Sequence, residues 1–157
     1  MKYAPAIERL ILVIWVGGIW TVGFLVAPTL FGMLENRAVA GNIAGNLFTS
    51  ISYVSLLCGF MLLTLAFVLQ GARYISHWRS WLVLAMLALT AIGQFVVTPR
   101  MHELRLARLA EKSFEPQLLE QFQTLHAISS SLFVLTSILG LVLVVVGATQ
   151  PGADLRR

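Results

Sequence analysis

Two places in this largely apolar sequence carry the side chains best suited to chemistry. The first is Thr98-Pro99-Arg100-Met101-His102-Glu103-Leu104-Arg105, where a charge-free run gives way to the most polar part of the chain; the second is His126. Imidazole is a frequent metal ligand and titrates near neutral pH. His102 and His126 are therefore candidates for metal or haem ligation, or for a proton-accepting pair with Glu35 or Glu103 nearby. The plainer alternative sets both rings at the lipid headgroup level, hydrogen-bonded to neighbouring helices or water. The two histidines are 24 residues apart, which is not a compact metal-motif spacing. No Ser/His/Asp order, phosphate loop or nucleophile elbow accompanies them, so no catalytic residue is assigned and the reading leans away from an enzyme.

The elements that must position these groups are membrane helices. Of 157 residues, 58% are hydrophobic and only 11% charged, with a mean hydropathy of +0.84. A soluble domain carries roughly 25% charged residues, so this chain has too few to cover a water-facing surface. The charge-free intervals run Leu10–Leu34, Ala38–Ala72, Ser80–Pro99 and Gln121–Ala153. Each reaches the roughly 20 residues that a spanning helix needs. The expectation is one all-α domain over residues 1–157, an integral membrane four-helix bundle with a polar amphipathic segment between helices 3 and 4. The helices are expected near 7–28, 42–70, 80–99 and 123–148.

A net charge of +4 and a pI near 9.8 suggest nucleic acid in a soluble protein. In a membrane protein, Lys and Arg decorate helix ends and face anionic headgroups. No basic cluster with interleaved aromatics is present, so nucleic acid is set aside as a partner and the lipid bilayer takes its place. The single cysteine, Cys58, sits inside the second helix and excludes an intramolecular disulfide. The apolar run after Lys2 and Arg9 is too long for a cleaved signal and reads as a retained helix.

Pro28 ends or kinks the first helix, and Leu30, Phe31, Met33 and Leu34 carry an apolar segment on to Glu35. Helix 2 opens with Gly41-Asn42 repeated as Gly45-Asn46, which stacks the two glycines on one face as a small-residue packing patch. Such a patch, or the glycines of helix 1, could also serve a homo-oligomer or another membrane partner. Tyr74, Trp78 and Trp81 surround a short loop containing Arg73, His77 and Arg79, as an interfacial aromatic belt does. Helix 3 is expected to continue past Pro99 into water. Ser113-Phe114-Glu115-Pro116 then restarts the chain as a cap candidate followed by a first-turn proline.

Polar residues inside membrane spans usually face the bundle interior. At about 100° per residue, Thr90, Gln94 and Thr98 share a face of helix 3, which Met101 and Arg105 continue if the helix survives Pro99. His126, Ser130, Phe133, Ser137 and Gly140 form a stripe on helix 4; Asn42, Asn46, Thr49 and Tyr53 form one on helix 2. Glu35, Asn42, Asn46, Thr98, Arg100, His102 and His126 all fall at the end opposite the termini. A polar vestibule open on that side follows, with Tyr53, Gln94 and Ser130 deeper in it. Asn42, Asn46 and Gln94 also suit hydrogen bonds between helices, and Arg100, Arg105 and Arg108 suit a face toward solvent or headgroups.

Gly17-Gly18-Ile19-Trp20 with Ala27-Pro28-Thr29-Leu30-Phe31, the Gly-Asn repeat with Leu47-Phe48, Thr98-Pro99-Arg100-Met101, and Leu125-His126-Ala127-Ile128-Ser129-Ser130 together resemble the bacterial domain-of-unknown-function family 4149. That family is similar to eukaryotic transmembrane protein 205, a four-helix membrane protein associated with platinum-drug resistance. The wider resemblance extends to copper-resistance D-type membrane proteins and a haem-binding protoporphyrinogen oxidase, which place a histidine in the first helix. This sequence has Trp15 and Trp20 there and no histidine, so neither copper nor haem carries over.

The resulting expectation is a small multi-pass bacterial inner-membrane protein, non-enzymatic, that handles a solute or metal or serves as an accessory subunit. The alternative is a metal- or haem-binding redox protein using His126 and His102. Six basic residues on the terminal side, against five opposite, lean the termini toward the cytoplasm.

Overall fold

The computed structural model describes residues 3–70, 78–110 and 116–148, helical throughout except at Tyr3 and the link 34–36. Four helices are long and apolar enough to cross a membrane: helix 1 (Ala4–Met33), helix 2 (Arg37–Leu69), helix 3 (Trp78–Ala107) and helix 4 (Gln117–Val146). In a bilayer the backbone finds no water to bond, so a chain this apolar satisfies its peptide groups within helices. The helices pack 1 on 2, 2 on 3, 3 on 4 and 4 back on 1, giving the four-helix bundle expected.

The spans extend beyond the expected boundaries because both prolines lie within continuous helices. Pro28 and Pro99 each follow a π-helical turn, Thr21–Val26 in helix 1 and Gly93–Val97 in helix 3. In each turn the residue before proline donates one position further back than in an α-helix: Ala27 N–H to Val22 O, and Thr98 N–H to Gly93 O. Widening the turn accommodates the proline ring and its missing N–H. The Thr98 hydroxyl also donates to Gly93 O at 3.0 Å. The two sites share the pattern Phe-x-Val-x-Pro, at Phe24–Pro28 and Phe95–Pro99. Helix 1 therefore runs past Pro28 to Met33, and helix 3 past Pro99 as expected.

Helix 2 starts at Arg37, earlier than the Gly-Asn repeat suggests, because Asn36 caps it. The Asn36 side-chain oxygen accepts from Ala38 N–H at 3.0 Å and Val39 N–H at 3.3 Å. Pro116 opens the last helical segment, so Leu118 and Phe122 belong to helix 4 itself. Arg73, Tyr74, His77, Glu111, Lys112, the Ser113–Glu115 cap candidate and the tail from Gln150 lie outside the described residues.

Packing is tightest in the half of the bundle nearest the termini. Ile11, Leu12, Trp15 and Ile19 of helix 1 meet Cys58 and Leu62 of helix 2, Val83 and Met86 of helix 3, and Leu143 of helix 4. Trp15 and Met86 are fully buried. Without a strong hydrophobic drive between helices in lipid, close approach at small residues holds them together. Phe133 of helix 4 lies over Gly23, where a Cβ would overlap its ring. Most buried hydroxyls turn back on their own helix: Ser55 donates to Ile51 O at 2.7 Å, and Ser137 to Phe133 O at 2.9 Å.

Candidate functional site

Toward the other end of the bundle, helices 2, 3 and 4 converge around a single guanidinium. Continuation of helix 3 past Pro99 carries Arg105 inward, where its side chain is half-buried. Its Nη1 donates to Asn42 Oδ1 of helix 2 at 3.4 Å. Gly45, one turn on from Gly41, clears the space: a Cβ there would lie 3.2 Å from Nη1. On the helix 4 side the guanidinium sits over the Phe122 ring, 5.8 Å from its centroid, within cation–π range. His126 stacks on the same Phe122 ring, with centroids 6.3 Å apart and planes 8° from parallel. Among the described residues the only ion pair is Arg79–Glu8, so no described carboxylate neutralises Arg105.

The other expected vestibule residues divide. Asn42 joins Arg105, and His126 joins through Phe122. Asn42 and His126 are themselves exposed, as are Glu35, Asn46, Tyr53, Arg100, His102 and Ser130, which make no contact with Arg105 among those described. Thr98 is half-buried and bonded to its own helix. Gln94 is buried in the π-turn of helix 3. Gly45 is a packing position as expected, although what it receives is a side chain of helix 3. No group of three or more His, Cys, Asp or Glu side chains able to hold a metal occurs among the described residues.

Arg105 is the member that sequence reasoning assigned to a surface face. The signal was present: Arg105 continues the face of Gln94 and Met101, and Gly45 repeats Gly41 across the interface. Neither observation names the other as partner until the helices are packed.

At the opposite end, Arg79 Nη2 donates to Glu8 Oε1 at 2.9 Å. Beneath this pair a cavity of about 50 Å³ lies among Leu12, Leu62, Ala66, Val83 and Leu143. It has room for a few waters at most, too little for an organic solute. The polar cluster of Arg105, Asn42, Phe122 and His126 is the stronger candidate for recognition.

No curated protein and no solved structure matches the chain. A family model does match, over residues 10–110, that of a domain of unknown function, DUF4149. The matched region takes in helix 1 from Leu10, helices 2 and 3, both proline-linked π-turns, Asn42, Gly45 and Arg105, and the chain belongs to this family of unknown function, DUF4149.

Proposed function

We propose that this four-helix membrane protein is non-enzymatic and handles a small solute through the polar mouth between helices 2, 3 and 4. One observation supports the reading: large side chains fill the core in the terminal half of the bundle, while at the other end the part-buried Arg105 meets Asn42 beside Gly45. Handling asks only for a polar mouth and selective contacts, which fits a site without a nucleophile–base pair. The protein is assigned to the bacterial inner membrane with cytoplasmic termini, which turns the mouth outward.

Two measurements test this. Liposomes containing the purified protein should shrink or swell faster than empty ones for at least one class among neutral, anionic and cationic small solutes. Gly45→Leu, which fills the mouth, should abolish the difference. Equal rates for all classes with and without the protein overturn the solute reading. For orientation, Glu35→Cys should react with a membrane-impermeant maleimide on intact spheroplasts. The native Cys58 is buried and contributes little background; protection of the Glu35→Cys site overturns the outward mouth.

A further inference from the structure

We propose that Arg105 anchors a binding site for a phosphate group, carried by an anionic lipid or by a free solute. The proposal rests on the mouth being open to solvent or headgroups, but not on flux through it. Three observations converge on it. The guanidinium is pre-positioned: Asn42 takes one N–H, Phe122 supports a face, and Gly45 clears the space. Pre-positioning an arginine cuts the ordering cost of binding. The bond to Asn42 is long, and it is the only hydrogen bond Arg105 makes to a described residue, so most of the planar donor fork is unspent. A fork of this geometry matches two oxygens of one phosphate.

Charge and depth agree with the assignment. Among the described residues no carboxylate pairs with this part-exposed cation, so its charge is open to an incoming anion. Helix 3 has 30 residues, about 45 Å of helix, enough to cross the hydrocarbon core and both headgroup layers. Arg105 lies toward the end of that helix remote from the chain termini, where a spanning helix meets the headgroup layer. A carboxylate solute could meet the same fork with its two oxygens, but a phosphate monoester brings a third oxygen and up to twice the charge.

The test is binding to the full-length protein in a mild neutral detergent, measured by native mass spectrometry and calorimetry. The probes are dihexanoyl phosphatidic acid, glycerol 3-phosphate and, as the phosphate-free control, dihexanoylglycerol. Wild-type protein should bind phosphatidic acid, and Arg105→Gln should weaken it at least tenfold. Arg105→Lys, which keeps the charge and loses the fork, should fall between. Binding of phosphatidic acid alone assigns the site to a lipid headgroup; comparable binding of glycerol 3-phosphate assigns it to a free solute. If Arg105→Gln does not yield a monodisperse helical protein, Gly45→Val, which displaces the guanidinium from its seat, serves in its place. Equal binding by wild type and variant, equal binding of the phosphate-free control, or binding of no probe overturns the proposal. Phosphate binding without solute flux would overturn the proposed function and leave this site standing.

Discussion

Trp15 of helix 1 and Gly59 of helix 2 are in contact because no side chain stands between them: a Cβ on Gly59 would lie 2.9 Å from Trp15 Cη2 and 2.5 Å from Leu87 Cδ2. Three helices are thereby drawn together around a fully buried indole. Adding bulk must push either Trp15 or Leu87 out of the core. Gly59→Val is expected to destabilise the folded bundle by about 1–3 kcal/mol, the usual cost of overpacking. Unfolding in detergent would measure it, and an unchanged midpoint would show that the contact does not constrain the fold.

Trp15 supplies volume rather than a hydrogen bond. Its Nε1 is buried with no partner, whereas Trp20 Nε1 donates to Ser137 O at 3.4 Å. Trp15→Phe removes an unpaired donor along with some packing, and the two effects oppose each other. The expected loss is under about 1.5 kcal/mol. Trp15→Ala opens a cavity and should cost about 3–5 kcal/mol. Similar losses for Phe and Ala would mean that the indole N–H itself stabilises the bundle.

The Glu8–Arg79 pair closes the terminal end, yet its side chains keep 39% and 27% exposure. Solvent screens a pair so placed, and its coupling is expected at or below about 1 kcal/mol. A double-mutant cycle with Glu8→Gln and Arg79→Gln measures it. The coupling should shrink further in high salt; a salt-independent value well above that bound would show a desolvated pair.

The π-turn before Pro99 sets the rotation of everything beyond it. Pro99→Ala removes the ring that the widened turn accommodates, allowing the turn to tighten into an α-helix. Residues after it then rotate by up to about 100°, which swings Arg105 away from Asn42. Helix content should stay unchanged by circular dichroism. A short bis-maleimide should join Asn42→Cys to Arg105→Cys efficiently with Pro99 present and severalfold less with Pro99→Ala. Equal yields would show that packing, not the π-turn, orients that end of helix 3.

The four spans and the survival of helix 3 beyond Pro99 were legible in the sequence for one physical reason. A charge-free run longer than the bilayer must cross it, and a backbone in hydrocarbon must bond to itself. Boundaries were less legible. Pro28 reads as a stop until the bond from Ala27 N–H to Val22 O shows how the helix absorbs it, and Asn36 becomes a cap only once Ala38 and Val39 donate to it.

In the sequence, Asn42, Arg105 and His126 each fall at the same end of a span. Only the tertiary structure decided which of them meet. In water, the contrast between apolar and polar faces tells a helix which side to bury; in lipid the outward face is as apolar as the inward one, and that contrast is lost. Partner choice then falls to pairwise fit: Phe133 against Gly23, Trp15 against Gly59, and Arg105 against Gly45. Such complementarity belongs to two surfaces at once, so a reading of either segment alone leaves Arg105 among the surface charges and Gly45 among the spacers.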